Sequence, residues 1–126
     1  MDKWFTLQAK ADRTDVLPRV LRLMEHPDFS LTNPNRVRSL IGAFAAGNAA
    51  HFHAADGSGY RFLADRILEL DALNPQVASR MASPFTRWKR YDPARQTLMR
   101  RQLRRLREHA SLSKDVTELV VKSLAD

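Results

Sequence analysis

Asn33-Pro34-Asn35-Arg36-Val37-Arg38-Ser39-Leu40-Ile41-Gly42-Ala43-Phe44 and, beginning 41 residues after that first asparagine, Asn74-Pro75-Gln76-Val77-Ala78-Ser79-Arg80-Met81 decide how this chain reads. Each stretch opens with Asn-Pro. The asparagine side chain accepts from the first free N–H groups of a helix, and proline sits at the first helical position, where no N–H is missed. Val37, Leu40, Ile41 and Phe44 then fall at i, i+3, i+4 and i+7, the spacing of one helical face. Each stretch also carries an arginine at nearly the same offset, Arg38 and Arg80. A period of about 40 residues matches one helical hairpin of the HEAT or armadillo kind. The expected fold is therefore all-α, a superhelical stack of antiparallel helix pairs that presents arginines.

Working outward, proline and glycine mark the breaks. A short helix is expected from Asp2 to Ala9, with Trp4, Phe5 and Leu7 apolar. Asp15 is placed to cap a second helix carrying Val16, Leu17, Val20, Leu21 and Met24, which His26-Pro27 ends. Gly47 should stop the helix opened at Asn33, with a further short turn over Asn48 to Phe52. Asp56-Gly57-Ser58-Gly59 reads as a tight loop before a long amphipathic helix marked by Tyr60, Leu63, Ile67 and Leu70. Val77, Met81, Phe85 and Trp88 follow Asn74, with a kink expected at Pro84. Asp92-Pro93 repeats the cap-plus-proline start ahead of Met99, Leu103, Leu106 and Ala110. Ser113 is placed to cap a last helix with Val116, Leu119, Val120 and Leu124. No segment sustains the period-2 alternation of a strand.

The 126 residues suit one domain, 1–126, large enough to hold its own core. With no cysteine, disulfides, thiolate zinc sites and cysteine nucleophiles are excluded. Apolar runs fall short of the ~20 residues that cross a bilayer, and Met1-Asp2-Lys3-Trp4 has no secretory pattern. The formal charge is +7, and 16 of the 21 basic residues are arginine, which favours an anionic partner without naming one.

Catalytic motifs are missing. H-E-x-x-H, G-x-S-x-G, a Walker loop and G-x-G-x-x-G do not occur. His51 and His53 are two apart, so on a helix they point in different directions and do not make the i, i+4 zinc pair. Arg100, Arg101, Arg104, Arg105 and Arg107 form a basic face opposite the stripe of Met99, Leu103 and Leu106. A solvated, partly ion-paired face is the ordinary account of such a pattern, and docking of nucleic acid, an anionic membrane or an acidic partner is the other. No aromatics are interleaved to stack bases. Arg38 and Arg80 stand out more sharply. A guanidinium in the second turn of a capped helix offers a planar fork to a carboxylate or to peptide carbonyls, and Gln76 lies one turn before Arg80 on the same face.

These residues carry a resemblance. The block Asn33 to Phe44, then Phe52-His53-Ala54 with Asp56-Gly57-Ser58-Gly59-Tyr60, then Asn74 to Arg80 and Lys89-Arg90-Tyr91-Asp92, is similar in order and spacing to the C-terminal domain of bacterial aminopeptidase N. The similarity runs from about Trp4 onward and is looser from Arg95. Ala49 stands where that family carries proline. The resemblance implies a cytoplasmic zinc metallopeptidase with an N-terminal β-domain, a thermolysin-like catalytic domain, a small β-sandwich and a closing helical superhelix, of which this chain corresponds to the last. It implies no catalytic residue, metal or cofactor here, the zinc being held elsewhere in the parent. It implies substrate contact through Arg80, Gln76 and Arg38 on the wall of an internal chamber. The implied partners are the parent's catalytic and β domains and a peptide, with no nucleic acid and no membrane. The rival expectation is a free-standing α-solenoid adaptor that uses the Arg100–Arg107 face.

Overall fold

Three asparagine or aspartate side chains set the helix starts as their positions demand. Asn33 Oδ1 accepts from the N–H of Asn35 at 3.0 Å and of Arg36 at 3.3 Å. Asn74 Oδ1 accepts from Val77 at 3.3 Å, and Asp92 Oδ2 from Arg95 at 3.2 Å. Pro34, Pro75 and Pro93 each follow in the first turn. The structure, a computed structural model, describes residues 2–125, so Met1 and Asp126 of the expected domain lie outside it.

The helices in order are α1 (Asp2–Ala9), α2 (Val16–Leu23), α3 (Pro34–Val37), a π-helical turn (Arg38–Gly42), α4 (Ala43–Gly47), α5 (Ala49–Phe52), α6 (Ser58–Leu73), α7 (Pro75–Met81), a 3-10 helix (Ser83–Arg90), α8 (Pro93–Arg107) and α9 (Lys114–Ala125). Among the described residues there is no strand. Helix α1 packs on the π turn and on α2 and α4. Helix α6 lies against α5, α7 and α8, and α9 closes on α7 and α8. One hydrophobic core runs through all of this, from Phe5 to Val120. Its centre is aromatic: Phe44 meets Phe52 and Phe62 edge-on, and Phe52 meets Tyr60.

The apolar stripes behave as their periods require. Tyr60, Leu63, Ile67 and Leu70 are fully buried, as are Met99, Leu103 and Leu106. Three local expectations are corrected, and the buried face of α1 is settled. Asp15 makes no side-chain cap to α2, because its carboxylate is taken by Arg13 Nε at 2.9 Å. Ala110 is exposed beyond the end of α8. Trp4 and Leu7 of α1 are exposed, leaving Phe5 and Ala9 to face the core. The helix from Asn74 breaks after Met81, and the backbone leaves helical geometry at Arg87, not at Pro84. Pro84 instead occupies the first turn of the 3-10 helix, where it loses no hydrogen bond.

Two buried polar side chains tie the segments together. Asn48 donates through Nδ2 to the carbonyls of Ala9 and Ala11, both at 3.0 Å, and so closes the C-terminal end of α1. Asp71 of α6 accepts from the Ser113 N–H at 2.7 Å and from the Ser113 hydroxyl. Ser113 Oγ in turn accepts from Val116 N–H at 3.3 Å, the expected cap of α9.

Candidate functional site

The Asn33 cap delivers two arginines to different tasks. Arg36 turns back, pairing with Asp2 and donating through Nε to the Asp28 carbonyl at 3.0 Å, so it latches α1 to the loop before α3. Arg38 opens the π turn, is exposed, and donates through Nη2 to Asn35 Oδ1. One edge of its guanidinium is thereby steadied by a neutral amide, and among the described residues no carboxylate pairs with it.

Gln76 and Arg80 lie on α7, one turn apart and both exposed. Neither side chain is hydrogen-bonded or ion-paired among the described residues. The element carrying Arg80 touches the one carrying Arg38. Met81 Sδ lies 3.5 Å from where a Cβ on Gly42 would stand, so the thioether fills the space the glycine leaves. The structure thus brings the two arginine-bearing elements into contact through Gly42 and Met81. Residue spacing carries no sign of that contact, nor of Asn35 as the partner of Arg38. The recess of about 500 Å³ lined by Thr86, Asp115, Glu118, Leu119, Lys122 and Ser123 includes none of Arg38, Gln76 or Arg80.

The histidines are engaged locally. His51 Nε2 is 3.2 Å from Asp12 Oδ1. His53 Nδ1 is 2.6 Å from the Tyr60 hydroxyl, its ring stacks on Tyr91 at 4.3 Å, and its carbonyl accepts from Arg95 Nε at 2.8 Å. Burial pushes the Tyr60 phenol up to about 12, so it stays protonated. Burial, aided by the Arg95 charge, holds His53 below the usual imidazole range. The phenol and the ring therefore share one hydrogen bond as two neutral groups. Among the described residues no three His, Cys, Asp or Glu side chains cluster to hold a metal. The donor set of the described residues does not fit a zinc ion.

A pH dependence follows. His53 is neutral in the fold and titrates below its unfolded value of about 6.5, so the unfolded chain binds the extra proton first. Its contribution to stability is complete above that value and is lost as pH falls through the window beneath it. Asp2, Asp15, Asp56 and Asp92, all held low by hydrogen bonds to arginine or to Ser58, act with the same sign, but from 3.8 downward. The urea midpoint should therefore drop between pH 7 and 5, and His53→Gln should flatten that part of the curve. An identical drop in the variant would assign it to other groups.

On α8 the basic face is only partly paired. Arg105 pairs with Asp65 of α6, and the Arg100 guanidinium lies 5.8 Å from the centre of the Trp88 ring. Thr97, Arg100, Arg101, Arg104, Arg105 and Glu108 line a shallow surface recess. Glu108 also lies on this face, but among the described residues the carboxylate paired with it is Asp65.

Helical hairpins stacked on one core, with two outward arginines on touching elements, define a helical-repeat domain. The chain belongs to the family described as domain of unknown function (DUF3458_C) ARM repeats, which matches residues 1–125. It is 52% identical over 125 residues to aminopeptidase N of Escherichia coli (strain K12), and 50% identical over 124 residues to that of Caulobacter vibrioides. These alignments cover 99% and 98% of this chain but 14% of each relative, so the chain spans about one-seventh of their length. Among solved structures it is similar to Legionella pneumophila aminopeptidase A, crystallised with aspartic acid, at a TM-score of 0.93 and 41% identity, covering 98% of this chain and 14% of that one. The resemblance to the C-terminal domain of aminopeptidase N and the all-α repeat fold are borne out by these matches. Among the described residues no helix is long and apolar enough to cross a membrane.

Proposed function

We propose that this chain is the non-catalytic C-terminal helical domain of a cytoplasmic, zinc-dependent aminopeptidase N, which releases N-terminal amino acids from peptides. The observation that carries the reading is identity of half the residues over nearly the whole chain, against only 14% of the length of each named peptidase. A domain of that share sits in a larger chain, and its partners are that chain's catalytic and β domains. In this reading the zinc and the bond chemistry belong to the catalytic domain. The helical domain closes the chamber over it, so that only a chain end reaches the metal.

Arg80, Gln76 and Arg38 are the residues proposed to meet substrate. Their chemistry suits a short peptide. Two guanidinium forks supply positive charge for its carboxylate or its carbonyls, and the amide of Gln76 both donates and accepts. Holding the peptide in line is an orientation effect, and it demands no proton transfer from this domain. Support comes from the exposure of all three side chains and the contact between Gly42 and Met81 that sets their elements side by side.

The test separates domain from enzyme. The full-length gene product should hydrolyse alanine p-nitroanilide and lose that activity to a zinc chelator. The 126-residue chain alone should release no p-nitroaniline. Chelator-sensitive hydrolysis by the isolated chain would overturn the assignment of chemistry to another domain. No hydrolysis by the full-length product would overturn the peptidase reading.

A further inference from the structure

The π turn that begins at Arg38 is braced from another helix. In an unbroken α-helix the N–H of Ala43 would bond the carbonyl of Ser39, four residues back. Here it bonds the carbonyls of Arg38 and Leu40 and passes over Ser39. The Ser39 carbonyl loses that donor on a residue that is 8% exposed, where solvent is a poor substitute. Thr6 of α1 provides a replacement: its hydroxyl donates to Ser39 O at 3.1 Å, across 33 residues of sequence. Ser39 Oγ in turn donates to the Asn35 carbonyl at 2.6 Å, and the Asn35 side chain holds Arg38. A single chain of contacts therefore leads from Thr6 to the Arg38 guanidinium.

A π turn accommodates one residue more than an α turn, so the chain on its two sides is offset by about 100° from a regular helix. Arg38 lies at the start of that offset while Leu40, Ile41 and Phe44 stay fully buried. The bearing of Arg38 relative to the core, and to Arg80 beyond Met81, depends on the turn being kept.

We propose that Thr6 is a positioning residue: by donating to the Ser39 carbonyl it holds the π turn that aims Arg38 at the peptide. This inference rests on the reading of Arg38 as a substrate-facing residue. Thr6 touches no substrate in this account.

The experiment uses the full-length gene product with two probes, the tripeptide Ala-Ala-Ala and alanine p-nitroanilide, which has no peptide chain beyond its first residue. Thr6→Val keeps the shape and removes the hydroxyl. It should raise KM for the tripeptide about fivefold, the effect of one hydrogen bond, with kcat and both constants for the anilide unchanged. Thr6→Ser should restore the tripeptide KM, which a loss of stability alone would not explain. In an Arg38→Ala background, Thr6→Val should add nothing. Equal KM values for wild type and Thr6→Val on the tripeptide, where Arg38→Ala does raise it, would overturn the role of Thr6. If Arg38→Ala changes neither probe, the substrate wall itself fails, and a crystal structure of Thr6→Val then decides the brace. Loss of the π turn supports it, and an unmoved turn and Arg38 overturn it.

Discussion

Gly59→Ala should destabilise the fold by about 3 kcal/mol or more and lower Tm by roughly 10 °C. A Cβ at Gly59 would stand 2.2 Å from the Phe52 carbonyl oxygen and 2.8 Å from the carbonyl carbon and Cα of Phe52. All three are backbone atoms, so no rotamer change relieves the clash. Helix α5 would have to lift from α6, opening the aromatic contacts that Phe52 makes with Phe44 and Tyr60. Against a typical stability of about 5–15 kcal/mol, that is a large fraction. Gly47→Ala is the control. The three atoms nearest its new Cβ, from 3.0 Å, all belong to the Lys10 side chain, which can swing into solvent. The expected shift is within about 1 kcal/mol, because alanine also favours a helix. Urea midpoints for the two variants should therefore separate widely, and equal midpoints would mean that α5 does not rest on Gly59.

Arg80→Ala, made in the full-length gene product, should raise the tripeptide KM about tenfold or more. A hydrogen bond to a charged group is worth about 1.5–3 kcal/mol, and removing one that holds substrate and transition state alike moves KM and leaves kcat in place. Arg80 is exposed and makes no hydrogen bond or ion pair among the described residues, so its loss should leave the urea midpoint and the zinc content unchanged. Alanine p-nitroanilide, too short to reach the wall, should be cleaved normally. A tripeptide KM equal to wild type would remove Arg80 from the substrate-binding set.

Local rules made much of the fold legible. The caps at Asn33, Asn74, Asp92 and Ser113 depend on groups within a few residues, and all four form. The stripes of α6 and α8 follow from helical period, and they are buried as spaced. What escaped depends on distant partners. Val37, Leu40, Ile41 and Phe44 fit an α-helix as well as they fit the π turn, and the Thr6 hydroxyl that meets the turn at Ser39 arrives from α1, 33 residues away. Asp15 has the right chemistry for a cap, but a nearer arginine competes for its carboxylate. For the candidate site, residue type and offset singled out Arg38 and Arg80. The contact that sets their elements together, Gly42 against Met81, spans two helices and leaves no periodic signal.

The most direct measurement is a crystal structure of the full-length gene product with a tripeptide bound. The account predicts the Arg80 guanidinium and the Gln76 amide within about 3 Å of peptide oxygen or nitrogen atoms, with Arg38 on the same wall. Those three side chains turned to open solvent, with the peptide held by other residues, would contradict it.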